Sequence, residues 1–465
     1  METAAVEVRA PALIQRLAAA RTQTDELFEI VRPEAFYDRP IPERHRIIFY
    51  LGHLEAFDWN LLGRRHFDLA SIDPTLDQLF AFGIDPVGGG LPSDMPQDWP
   101  VRSAVGAYNQ RVRRAIDERV AEKFDSHAEC SPELEQLLEV AIEHRLMHAE
   151  TLSYLLHQLP LDRKFHRADS PAPGASEMKP RMVNIPAGIA TLGLRHDGNS
   201  PIELHAPHNS FGWDNEFEEH QVPVPEFRIS AHKITNGEFL DFYLAGGYKQ
   251  RSLWRDEDWI WLQSSGASHP SFWVFHGSQP FLRTMFDEIP LPFDWPVYVS
   301  HAEASTYARW AGKELPSEAE WHRAAYGTPA SSHESDRIER AFPWGDQLPT
   351  AIHGNFNFQR WDPTPVAAFP AGASGFGVHG LLGNGWEWTR TIFAPFRGFQ
   401  PFPFYPGYSA DFFDGRHYVM KGGSSRTAAC LLRRSFRNWF QPHYPYIYSG
   451  FRCVERQDGI NPNTR

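Results

Sequence analysis

The stretch "AIEHRLMHAETLSYLLHQL" fills residues 141–159. Just upstream, "CSPELEQLL" (130–138) carries the signs of a helix start. Ser131 suits the N-cap, Pro132 the first helical position, and Glu133 and Glu135 the positive end of the helix dipole. From there Leu134, Leu137, Ala141, His144, His148, Leu152 and Leu155 follow in steps of three and four, which is one face of a helix turned to a core. Two imidazoles therefore interrupt a leucine stripe. One turn apart, they are close enough to reach a single ion. Left unpaired, each would cost on the order of 1–3 kcal/mol. Carboxylates or carbonyls on neighbouring helices could satisfy them, or a metal could.

Three further segments of the first 160 residues have helical spacing: "APALIQRLAAARTQTDELFEIV" (10–31), "IPERHRIIFYLGHLEAFDWNLL" (41–62) and "VRSAVGAYNQRVRRAIDERVAEKF" (101–124). Together with the histidine helix they predict a four-helix bundle over 1–160. The second segment offers a third imidazole, His53, set among apolar and aromatic residues. Three neutral imidazoles suit Zn, Fe, Cu or Ni and leave coordination positions open. Glu150, two residues beyond His148, lies on another face and is expected to be structural.

Residues 161–182 are rich in Pro, charge and small side chains and read as a linker. Beyond them Gly, Pro, Trp and Phe dominate and strand candidates are short. Helices are expected at "SHAEASTYARWAGK" (300–313) and "SEAEWHRAAYG" (317–327). This is the pattern of a compact α+β domain over 183–456, followed by a tail at 457–465.

The 465 residues exceed one ordinary core, which agrees with several domains. A net charge of −13 argues against a nucleic-acid partner, whose affinity would need basic patches. Three cysteines, Cys130, Cys430 and Cys453, make no disulfide framework, so a reducing cytoplasm is expected. The start of the chain lacks the basic and apolar regions of a signal peptide. No apolar run is long enough to span a membrane, so no membrane partner is expected.

"GHLEAFDWN" (52–60) and "HRLMHAET" (144–151) resemble the DinB-like bundle of the EgtB-type sulfoxide synthases of ergothioneine biosynthesis. The second half resembles the FGE-sulfatase domain, a C-type-lectin-like fold, joined to that bundle in the same family. The motifs are "YVSHAEASTYARWAGKELPSEAEWHRAA" (298–325), "FPWGD" (342–346), "NFNFQRWDPTPVAAFPAGASGFGVHGLLGNGWEWT" (355–389), "MKGGSSRTAACLLRRSFRNWF" (420–440) and "SGFRC" (449–453). The resemblance implies a nonheme Fe(II) held by His53, His144 and His148. It implies O2-dependent joining of a thiol, cysteine or γ-glutamylcysteine, to the ring of hercynine, with the sulfur left as a sulfoxide. Coordination lowers the pKa of a thiol so that the thiolate binds.

The resemblance also assigns "RNWF" (437–440) to the betaine. Asn438 would bond its carboxylate, and Trp439 and Phe440 would face its trimethylammonium group. Phe440 stands where some members carry an acidic residue tied to γ-glutamylcysteine, which points to free cysteine. "GNGWEWT" (383–389) and "KELPSEAEW" (313–321) read as fold signatures, with Trp386 and Trp388 in the core.

One departure stands out. The family uses a tyrosine as proton donor. Phe396 and Phe399 occupy the expected positions of one subtype, and Gly83 and Ile84 those of another. Tyr405, Tyr408 and Tyr108 are the candidate replacements, with Tyr446 and Tyr448 behind them. The gap keeps related readings open: C–S or C–Se bond formation on another histidine derivative, or a DinB-type metal-dependent thiol S-transferase. A formylglycine-generating oxidase would need two cysteines close in sequence, and Cys430 and Cys453 are not. Arg102 and Arg111 are candidates for the carboxylate of the thiol, or simply surface arginines.

Overall fold

The computed structural model describes residues 2–81, 91–125, 131–169, 179–195, 211–329 and 339–456. Gly83, Ile84 and Cys130 lie outside the described residues. The chain divides into two compact units, 1–168 and 169–465.

The first unit is helical: α1 (Glu2–Glu29), α2 (Ile47–Asp58), α3 (Pro74–Leu79), α4 (Arg102–Asp125) and α5 (Pro132–His157). α1 packs along α5, and α2 packs against α4 and α5. Ser131 caps α5 by accepting the Leu134 N–H at 3.2 Å. The stripe from Leu134 to Leu155 is buried throughout, His144 and His148 included.

α2 starts later than its sequence pattern predicts. Ile41 is buried at 0% exposure, but 41–46 form turns, and Arg46 enters the helix in extended conformation at φ −67°, ψ 156°. Apolar spacing over 41–47 therefore reflects a buried turn, not a helix. Past Asp58 the chain widens into a π-helical segment, Trp59–His66. The first unit also runs past residue 160. The Phe165 N–H donates to the Ile30 carbonyl at 2.7 Å, and Lys164 pairs with Val31, so the start of the sequence-predicted linker is pinned to the end of α1.

The second unit mixes short strands and helices. β1 (Met182–Ile185), β2 (Gly188–Leu192), β3 (His220–Val224) and β4 (Phe227–Ser230) precede α6 (Asn236–Leu244) and α7 (Asp256–Ser265). β5 (Trp273–His276), β6 (Gln279–Arg283) and β7 (Glu288–Pro290) form one antiparallel sheet. After α8 (His301–Trp310) and α9 (Glu318–Tyr326) come β8 (Trp386–Ile392), β9 (Tyr418–Lys421), β10 (Asn438–Phe440), β11 (Ser449–Gly450) and β12 (Val454–Glu455). The sheet that carries Asn438, Trp439 and Phe440 runs β10-β9-β8-β11. α8 and α9 both open with capping boxes, Ser300 with Glu303 and Ser317 with Glu320, which explains why both were readable from sequence.

The core of this unit gathers Val183, Ile185, Phe227, Ile229, Trp321 and Leu381. Glu387 anchors it electrostatically. This buried carboxylate receives Arg452 at 2.6 Å and the Trp321 indole at 2.8 Å, and pairs with Lys233 at 3.0 Å. Gly383 (φ 81°) and Gly385 (φ 113°) make the turn into β8. A Cβ on Gly383 would sit 2.5 Å from the Asn355 carbonyl. Trp386 and Trp388 are core residues.

Candidate metal centre and substrate motif

α2 supplies His53, and α5 supplies His144 and His148 one turn apart. Each offers a ring nitrogen, and the three nitrogens lie within 4.8 Å of one another. All three rings are buried. Aromatic side chains of α2 wall them in. Phe57 stacks on His144 at 3.4 Å, Phe49 on His53 at 4.9 Å, and Tyr50 lies 6.1 Å from His148.

The protonation states suit a metal. Burial pulls His53 down to about 4, against a partial lift from its bond to Phe80. Burial, reinforced by the neighbouring imidazoles, holds His144 and His148 well below the usual histidine range. All three are neutral at pH 7, the form that donates a lone pair. Nδ1 of His53 donates to the Phe80 carbonyl at 2.8 Å, which leaves Nε2 as the lone-pair nitrogen. Nδ1 of His148 is buried without a hydrogen-bond partner among the described residues. A buried trio of neutral imidazoles, one tautomer fixed by a carbonyl, fits a transition metal.

Beside the histidines lies a charged network that sequence reading did not find. Arg145, fully buried, donates to Asp58 at 2.7 Å, to Glu55 at 3.0 Å and to the Leu54 carbonyl at 3.0 Å. Arg113 adds a bond to Glu55 at 2.7 Å and reaches Asp25 at 2.7 Å. Burial pushes Glu55 up, but Arg145 and Arg113 outweigh it and bring its carboxyl down to about 2. The available signal was two acids at 55 and 58 and a cation at 145, all on inward positions.

In the second unit, Asn438, Trp439 and Phe440 form β10, with Phe440 opposite Tyr418 on β9. Alternation sends Asn438 and Phe440 to one face and Trp439 to the other. The Asn438 side-chain oxygen accepts the Trp439 N–H at 2.8 Å, so its amide NH2 is the end left to donate. Trp439 stacks on Phe393 at 4.2 Å, with Phe412 at 5.6 Å and Tyr408 edge-on at 5.5 Å. Phe440 stacks on Tyr444 at 5.3 Å.

The proton-donor candidates part company here. Tyr408 touches Trp439 and stacks on Trp213 at 4.0 Å, with Tyr405 behind it at 5.5 Å. Tyr448 is buried near Phe272 and Tyr298, and Tyr446 packs on Tyr444. Tyr108 belongs to the first unit and donates to Asp77 at 2.8 Å; burial and that carboxylate raise its pKa. Phe396 lies under the Arg437 guanidinium at 4.0 Å and Phe399 packs on Phe413. Arg102 and Arg111 are exposed, Arg102 resting on Phe36 at 4.1 Å. Cys430 and Cys453 are free thiols, and burial pushes Cys453 up to about 12, far from a reactive thiolate.

Comparison with known proteins follows the same division. Residues 168–457 match the family model "Sulfatase-modifying factor enzyme 1-like domain". The chain is 32% identical over 458 residues to a hercynine oxygenase of Mycolicibacterium thermoresistibile, covering 96% of this chain and 95% of that one. A hercynine oxygenase of Mycolicibacterium smegmatis is 37% identical, covering 95% and 98%. Ergothioneine biosynthesis protein 1 of Neurospora crassa is 29% identical over 92% of this chain and 55% of its own length.

Proposed function

This chain belongs to the hercynine oxygenase family, with a sulfatase-modifying factor enzyme 1-like second unit, and from that membership we propose that it is an Fe(II)- and O2-dependent sulfoxide synthase of ergothioneine biosynthesis. The observation that carries the reading is the convergence of His53, His144 and His148 in a chain aligned almost end to end with such relatives.

The reaction joins the sulfur of cysteine or γ-glutamylcysteine to a ring carbon of hercynine. Loss of the C–H and S–H hydrogens gives up two electrons, and oxidation of the sulfur two more. One O2 takes all four; one oxygen atom stays on sulfur and the other leaves as water. Fe(II) bound to the three histidines would supply the O2 chemistry and a place for the thiolate.

The chain's own groups bind and orient. His53, His144 and His148 would hold the metal in a buried, aromatic-walled site. Asn438 donates its amide NH2 to the betaine carboxylate, and Phe440, on the same face of β10, offers its ring to the trimethylammonium group, while Trp439 on the opposite face packs against Phe393. Tyr408, which packs edge-on against Trp439 at 5.5 Å, is the proton donor in this reading. Phe396 and Phe399, standing where a tyrosine is expected, favour as second reading C–S or C–Se bond formation on a related histidine derivative. Incubation of Fe(II)-loaded protein with hercynine, O2 and each thiol in turn, followed by mass spectrometry, tests the proposal. The hercynine–cysteine sulfoxide is the expected product; its absence with both thiols would overturn the assignment.

A further inference from the structure

α5 places a fully buried arginine, Arg145, directly after His144. Its neighbours, Glu55 and Asp58, are as deeply buried. Taking three charges out of water is costly, and apolar residues of similar volume in such a place are often neutral or stabilising. The cluster therefore has a weak claim as a stability device.

What it supplies is register. From one planar guanidinium, Arg145 donates to three successive anchors of α2: the Leu54 carbonyl at 3.0 Å, Glu55 at 3.0 Å and Asp58 at 2.7 Å. A longer contact at 3.4 Å reaches Thr24 of α1. Leu54 follows His53, and Arg145 follows His144, so the fork ties together the residues next to ligands on two different helices. A guanidinium fixes direction as well as distance, which a lysine ammonium cannot do. Three nitrogens meet on one ion only if α2 and α5 keep their axial and rotational setting to within about 0.5 Å.

We infer that Arg145 is a positioning residue, which acts through Leu54, Glu55 and Asp58 to hold His53 in register with His144 and His148. The inference rests on the three-histidine reading of the metal centre.

The test uses the full chain, metal-free, titrated anaerobically with Co(II) as a spectroscopic probe, alongside chemical unfolding. Arg145→Lys keeps the charge and removes the fork. The triple variant Arg145→Met, Glu55→Met, Asp58→Leu removes the three buried charges and leaves Arg113 its pair with Asp25. Both are expected to keep the helical circular dichroism, and the triple variant to unfold at the same or higher denaturant concentration. Co(II) affinity should fall about 10–100-fold in each, with a changed visible spectrum. Wild-type affinity and spectrum in the triple variant would overturn the inference. So would unfolding of both variants, which would assign the cluster to stability. Failure of the unsubstituted protein to bind Co(II) would instead overturn the three-histidine reading, a result distinguishable from either.

Discussion

The Phe80 carbonyl accepts a hydrogen bond from Nδ1 of His53 at 2.8 Å, joining the segment after α3 to the middle of α2. This one contact fixes the tautomer of His53 and leaves Nε2 as its lone-pair nitrogen. It also makes the ring a stronger donor to a metal.

Removal of any one imidazole should empty the site without unfolding the bundle. The rings are already neutral and enclosed by Phe49, Phe57 and Tyr50, so truncation leaves no stranded charge. His53→Ala, His144→Ala and His148→Ala should each drop bound iron from about one per chain to near none, with helical content unchanged. Metal analysis of the purified variants checks this; full iron in any one of them excludes that residue as a ligand.

The bundle's helix α5 is legible in sequence because its signals are local: a Ser131 cap, a proline at the first turn and a periodic stripe. What surrounds the histidines is not. The Phe80 anchor is a backbone carbonyl, which every residue has. Arg145 meets Glu55 and Asp58 across separations of 90 and 87 residues, and pairing at that range leaves no local pattern. The early end of α2 misleads for a similar reason: Ile41 is buried by tertiary packing and imitates a helical stripe.

Tyr408 and Tyr405 separate by their contacts. Tyr408→Phe should lower sulfoxide formation by about 10²-fold, the usual scale of a lost general acid, and turn more thiol into disulfide. Tyr405→Phe, one ring further away, should change it by less than about threefold. Equal losses in the two variants, read by product analysis, would remove Tyr408 from the donor role.

Asn438 tests the carboxylate contact. Asn438→Asp keeps the acceptor that holds the Trp439 N–H but replaces the donating NH2 with negative charge. KM for hercynine should rise by about tenfold or more while KM for the thiol stays within about twofold. An unchanged hercynine KM would place the carboxylate elsewhere.

Acid should weaken the second unit through His301. This buried ring stacks on Tyr418 at 3.7 Å. Burial first, then Arg255, lowers its pKa to about 3. Unfolded, it returns to about 6.5. Between those values the unfolded chain binds a proton that the folded chain does not, so stability falls as pH drops through that window. The loss is at most about 1.4 kcal/mol per pH unit for this group. Denaturant midpoints from pH 7 to pH 4 should show a shallower decline in His301→Phe; parallel slopes would contradict the assignment.

The central claim is that the histidine centre binds iron and uses O2 to make a sulfoxide. Its most direct test supplies 18O2 to Fe(II)-loaded protein with hercynine and cysteine or γ-glutamylcysteine and weighs the product. One labelled oxygen on the sulfur of the joined product, and no product under nitrogen, is the predicted result. A joined product whose sulfur carries no labelled oxygen, or no joined product with either thiol, would contradict it.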